Sequence, residues 1–137
     1  MIPADREWFR QPPASGEAIE AMKRLENVEL PLAYLQLLAF SNGGEGPLPV
    51  QPWNFCLDPA EVASQNWLEQ TFSAFFPGFF VFGSNGAGEL FAFDLRVAKP
   101  WPVVALDSAN CDLGDTVLSV ANNFDAFMCV LGQERHA

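Results

Sequence analysis

Phe79-Phe80-Val81-Phe82-Gly83-Ser84-Asn85-Gly86-Ala87-Gly88-Glu89-Leu90-Phe91-Ala92-Phe93-Asp94 places two apolar runs on either side of a glycine-rich link. Nearly every position of 79–82 is apolar, which suits a strand buried on both faces. Asn85-Gly86 is a strong turn signal, because both residues tolerate positive φ. Leu90-Phe91-Ala92-Phe93 reads as the return strand, ending at Asp94. The connection 83–89 is longer than two residues, so a looped hairpin is expected. Phe75, Phe76, Phe79, Phe80 and Phe82 are too many for one face of a short strand. They are core candidates first and interface candidates second.

Downstream of the hairpin, Pro102-Val103-Val104-Ala105-Leu106 reads as a further strand. Residues 107–115 form a polar, acidic loop, and 117–120 a short strand. Asn122 is the expected cap of a last helix, with Asp125 in its first turn. Phe124, Phe127, Met128 and Leu131 then recur at helical spacing. The tail 133–137 is expected to fray. Upstream, Asp58-Pro59-Ala60-Glu61 opens a helix, with Asp58 as cap and Pro59 at the first helical position. That helix cannot pass Pro77. Pro47, Pro49 and Pro52 restrict 45–57 to short or edge strands. Leu32, Leu35, Leu38 and Ala39 define a helix that starts at Pro31 and ends at Ser41-Asn42, where Gly43-Gly44 offers a left-handed cap. Ser15 caps a helix over 16–27, and 1–15 is an irregular lead-in that Trp8 and Phe9 can pin to the body. The pattern predicts an α+β domain over 16–132. Its sheet is mainly antiparallel, of about four to six strands, with helices packed on one face.

The chain has 137 residues, half of them hydrophobic, with 13 Phe and 4 Trp. Folding buries roughly two-thirds of the unfolded surface at this size, enough for a core without disulfide or metal staples. Disorder of the whole is excluded. The charge is 7 Lys+Arg against 17 Asp+Glu, a net of −10. Seven dispersed cations make no basic face, so nucleic acid and anionic membrane surfaces are poor partners. The first residues lack the apolar core of a secretory signal. Cys56, Cys111 and Cys129 are odd in number and far apart, which argues against a disulfide frame or a zinc site. Cys129 falls on an apolar helical pattern and reads as a buried small hydrophobe. A reducing, cytoplasmic setting is expected.

Catalytic constellations are scarce. The single histidine, His136, stands one residue from the end. Gly83-x-x-Gly86-x-Gly88 has the wrong spacing for a dinucleotide fingerprint and serves a hairpin connection. Asp107, Asp112 and Asp115 lack the spacing of an EF-hand, so a solvated loop is the simpler reading. Glu45, Glu89 and Asp94 bracket loops and strands without a base or nucleophile to work with, which favours an ordering role over acid–base chemistry. No catalytic residue, metal or cofactor is expected. Trp53, Trp67 and Trp101 are core or interface anchors.

Leu30-Pro31-x-x-Tyr34-x-x-Leu37-Leu38-x-x-Ser41-Asn42-Gly43-Gly44-Glu45-Gly46 resembles the N-terminal signature of the Smi1/Knr4 (SUKH) family. The block Gly83, Gly86, Gly88 and Glu89 followed by Phe91-x-Phe93-Asp94 resembles the second. The closing run Val120 to Phe127, with Phe124 and Phe127, resembles the last. Asn85 stands where the family commonly has Asp, and Ala87 where it has Gly. Both swaps keep turn chemistry. The resemblance implies a mixed or antiparallel sheet with helices packed on it, and structural roles for the motif residues. It also implies a non-enzymatic role: many bacterial members are immunity proteins that neutralise a toxin, and fungal members are adaptors in cell-wall signalling.

The leading expectation is therefore an immunity protein that covers a basic toxin domain, such as a nuclease. An acidic surface steers such a partner, and a buried apolar patch holds it. The expected contact residues are Glu45, Asn85, Glu89, Asp107, Asp112 and Asp115. The alternatives are a regulatory adaptor of a housekeeping partner and, less favoured, a small-ligand binder or enzyme. Both monomer and homodimer fit the sequence.

Overall fold

The computed structural model describes residues 2–134. Seven strands form one antiparallel sheet in sequential order: β1 (Phe9–Arg10), β2 (Gly44–Pro47), β3 (Asn54–Leu57), β4 (Phe79–Ser84), β5 (Glu89–Asp94), β6 (Val103–Asp107) and β7 (Val117–Ala121). Five helices accompany it: α1 (Gly16–Lys23), α2 (Leu32–Phe40), α3 (Ala60–Leu68), α4 (Leu113–Thr116) and α5 (Phe124–Val130). The architecture is α+β, as the sequence pattern predicts. The sheet has one strand more than the upper expectation, because two residues of the lead-in pair with β2, Phe9 opposite Glu45 and Arg10 opposite Gly44. That pairing depends on glycine. A Cβ on Gly44 would stand 2.7 Å from both the Phe9 carbonyl and the Trp8 ring, and Gly44 also has φ +117.

The period-two alternation of β4 explains the phenylalanine run. Phe80 and Phe82 join the larger core with Tyr34, Phe55, Phe91, Phe93, Phe124 and Phe127. Phe79 and Val81 point to the opposite face and pack with Phe76, Ala92, Val104 and Leu106. Helices α1, α2, α3 and α5 bring residues to the larger core, while Phe72 and Leu113 pack against the smaller cluster. Of the run, Phe75 alone is exposed, at 62%. Tyr34 is the hub of the larger core, with ring centroids of Phe82 and Phe93 both 5.4 Å away. Trp101 is buried there too, and Phe127 meets Phe55 edge-on at 5.0 Å.

Several boundaries differ from expectation, each for a local reason. Helix α1 stops at Lys23, short of residue 27, and Asn27 turns the chain with φ +66. Helix α2 ends in extended Ser41, so Gly43 and Gly44, with φ of +108 and +117, serve the path into β2 and not the helix cap. Asp58 does not cap α3. Pro59 occupies that position, and the Ala60 N–H donates to Asn42 Oδ1 at 2.7 Å. The last helix is capped by Asn123 and not Asn122, with the Ala126 N–H donating to Asn123 Oδ1 at 2.8 Å. The acidic loop contains the short helix α4, capped by Asp112. Cys129 and Cys111 are exposed and Cys56 is half-buried, so the buried reading of Cys129 is corrected. His136 and the end of the tail lie outside the described residues.

Candidate functional site

Three connections meet at one end of the sheet. Strand β2 ends and β3 begins there, flanking 48–53; β4 and β5 flank 85–88; β6 and β7 flank 108–116. Two of these loops are tied directly: Ser108 donates from its backbone N–H at 3.0 Å and its hydroxyl at 2.6 Å to the Gly88 carbonyl. Gly86 and Gly88 both hold positive φ in the hairpin loop, as its turn signal implies. Asn85 organises that loop, its Oδ1 accepting from the N–H groups of Ala87 at 2.9 Å and Glu89 at 3.0 Å.

Glu45, Asn85 and Glu89 are brought together through Asn54. The Asn54 amide donates to Glu45 Oε2 at 2.9 Å and to the Asn85 carbonyl at 3.3 Å. The Asn85 amide in turn donates to Glu89 Oε1 at 3.3 Å. Nothing in the sequence marks Asn54, which is one amide in a proline-rich segment. Asp107 pairs with Glu89 across β5 and β6. Opposite placement of like charges raises the local negative field. Asp107 Oδ1 accepts from Ala109 N–H at 2.9 Å, and Asp112 Oδ1 from Gly114 N–H at 3.0 Å, so both also order their loop. Asp115 is exposed in the first turn of α4. Asp94 belongs elsewhere. It is buried at the far end of β5, where Arg96 grips both its oxygens at 2.9 and 3.1 Å. Burial opposes its ionisation, but the Arg96 hydrogen bonds hold its carboxyl below the usual range.

The three loops carry no cation. No Lys or Arg stands between Arg24 and Arg96, or between Lys99 and Arg135. Arg96 and Lys99 occupy the β5–β6 turn at the opposite end of the sheet, and Lys99 pairs with Glu29 at 3.4 Å. Arg6, on the β1 side, donates to the Leu131 carbonyl at 2.9 Å. Within the acidic end, Val50 and Trp53 are each 39% exposed. Both belong to the 48–53 loop, between β2 and β3.

Among the described residues, groups suited to bond chemistry are not assembled there. Burial pushes the Cys56 thiol up, and the charges of Glu45 and Asp58 push it further, against hydrogen bonds from Asn54 and Ser84. A thiol held protonated is a poor nucleophile. Asp58 is pushed up to about 6 by burial, but it sits past the C-terminal end of β3, away from the loops. Among the described residues no three His, Cys, Asp or Glu are grouped to hold a metal, and no helix is long and apolar enough to cross a membrane.

The sequential sheet, its helical layer and its glycine-built turns define a small α+β meander domain. The family model for SMI1 / KNR4 (SUKH-1) matches residues 13–129, and the chain belongs to that family. Its members are generally not enzymes, and the family is associated with protein–protein interaction. No curated protein matches the chain.

Proposed function

We propose that the chain is an immunity-type protein that binds a basic toxin domain through its acidic end and occludes it. The observation that carries this reading is that three loops at one end of the sheet hold no Lys or Arg, and that this end carries Glu45, Glu89, Asp107, Asp112 and Asp115 together with the half-exposed Val50 and Trp53 of the 48–53 loop. A toxin that acts on nucleic acid must itself attract phosphates, so its working face is basic. Carboxylates at the rim steer that face and set specificity, while an aromatic anchor supplies the desolvated centre of the contact. The hydrogen bonds among Asn54, Asn85 and Glu89 pre-order the loops, which lowers the entropy lost on docking.

The test is binding to the basic domain encoded beside this gene, measured as a rate of association across salt concentrations. Exposed charges are screened within about 8 Å at physiological salt, so association slows as salt rises. The triple variant Glu89→Lys, Asp107→Lys, Asp115→Lys is expected to bind at least tenfold more slowly, on the scale of electrostatic steering. Unchanged association by that variant, with no salt dependence, overturns the acidic-end reading. An adaptor holding a housekeeping partner by apolar contact produces that second result.

A further inference from the structure

A cavity of about 760 Å³ lies between the C-terminal ends of α1 and α3, the segment that follows α3, and the start of β4. It is remote from the acidic loops, at the other end of the sheet. Its volume falls within the range of small-molecule pockets, roughly 300–1,000 Å³. Phe76, Phe79 and Val81 form its buried apolar lining. Trp67 lines it as well, and its indole N–H is already spent on the Glu26 carbonyl at 3.0 Å, so the ring offers the cavity apolar surface.

Two features of the lining are unusual for this chain. Three non-glycine residues among those described hold positive φ, and two of them, Asn27 at +66 and Gln70 at +54, border this cavity. Left-handed backbone at such residues costs energy and persists where the surroundings fix it, so the chain is bent around the space and not collapsed into it. The second feature is Arg24. Every other Lys or Arg among the described residues has a side-chain partner: Arg6 on Leu131, Arg10 on Phe40, Lys23 on Glu20, Arg96 on Asp94 and Lys99 on Glu29. Among the described residues the Arg24 guanidinium has no hydrogen bond, ion pair or ring contact, although the sequence has 17 Asp+Glu. It is exposed and lines the cavity. Glu26 is the other charged residue of the lining, and its carbonyl holds Trp67.

We infer that this cavity binds a small carboxylic acid with an apolar body, its carboxylate paired with Arg24 and its body against Phe76, Phe79 and Trp67. A guanidinium matches a carboxylate by two parallel hydrogen bonds. The net charge of −10 repels anions from the rest of the molecule, so an anion that binds must find a local cation. A purely apolar ligand would use the lining but leave Arg24 idle.

Decanoate is the probe, titrated into the full chain and followed by calorimetry and by the indole N–H resonances in NMR. Saturable one-site binding with a shift of the Trp67 indole resonance is expected. Arg24→Gln is expected to weaken decanoate by about tenfold, the loss of one charge-assisted contact. Decanol, which lacks the charge, is expected to bind wild type and Arg24→Gln alike. Ser73→Trp fills the space and is expected to abolish both. Because Arg24 and Ser73 are exposed, unchanged circular dichroism melts separate these effects from unfolding. The inference is overturned if decanoate does not saturate, if Arg24→Gln binds it as tightly as wild type, or if the shifts map to another surface. It is also overturned if a short peptide with a free apolar C-terminus binds and decanoate does not.

Discussion

Asn42 reaches from the end of α2 to Ala60, whose N–H donates to its Oδ1 at 2.7 Å, and so caps α3 from 18 positions upstream. The same amide donates from Nδ2 to Glu61 Oε1 at 2.9 Å, which helps hold that carboxyl below its usual range. One side chain therefore satisfies a helix start and ties the end of α2 to the start of α3. Asn42→Ala is expected to destabilise the fold by about 1–2 kcal/mol, the scale of a lost cap. Urea unfolding measures it. Asn42→Asp keeps the acceptor but sets a like charge against Glu61, and is expected to fall between wild type and Asn42→Ala.

Ser41, the neighbouring residue, is fully buried and its hydroxyl makes three hydrogen bonds. Its hydroxyl accepts from the Trp8 indole at 3.2 Å and the Gln11 N–H at 3.0 Å, and donates to the Gly43 carbonyl at 2.6 Å. Ser41→Ala leaves these partners unsatisfied, at a cost of roughly 1–3 kcal/mol. The expected signature is early proteolysis before residue 15, because two of the three contacts fasten the lead-in.

Tyr34 gives the opposite sign. Its hydroxyl is buried without a hydrogen-bond partner among the described residues, and burial holds its phenol well above the usual range. Tyr34→Phe keeps the ring contacts and removes the orphaned oxygen. Thermal melting is expected to show stability unchanged or raised by about 1 kcal/mol. Tyr34→Ala, which empties the hub of the ring cluster, is expected to cost about 3–5 kcal/mol.

Asp58 makes stability depend on pH. Its carboxyl is pushed from 3.8 up to about 6 by burial. The folded state thus binds a proton where the unfolded chain does not. The stability from protonated Asp58 is full below the unfolded value of 3.8 and lost as pH rises through about 6. Asp58→Asn removes the desolvated charge. It is expected to be more stable than wild type at pH 7 by on the order of 2 kcal/mol, with the gap closing toward pH 4. Denaturant midpoints across that range check it.

What the sequence shows and what it hides divide along a physical line. The hairpin of β4 and β5, the Asn85-Gly86 turn and the Phe124–Phe127 stripe are local patterns, and each is found where its spacing places it. The cap of α3 is hidden because Asn42 and Ala60 meet only through tertiary packing, so the nearer Asp58 is the natural but mistaken choice. Strand β1 is hidden because two residues carry no periodicity, and its pairing depends on the missing side chain of Gly44. At the acidic end, composition marks Glu45, Glu89, Asp107, Asp112 and Asp115, but the link from Glu45 to the Asn85 loop runs through Asn54, and the tie between the 85–88 and 108–116 loops through Ser108 and Gly88. Trp53 reaches that end through the path of the 48–53 loop, which no motif encodes.

Strand neighbours in this sheet are always neighbours in the chain. A ribosome delivering the polypeptide therefore supplies the strands in the order in which they pair, with helices only in the gaps between β1 and β2, between β3 and β4 and, as the short α4, between β6 and β7. Such locality favours rapid folding. The aromatic interior stays open on one side until α5 is made, because Phe124 and Phe127 close it against Tyr34, Phe55 and Phe82. A nascent chain stopped before residue 124 lacks the α5 side of that cover and leaves part of the aromatic cluster to solvent, a target for chaperone capture.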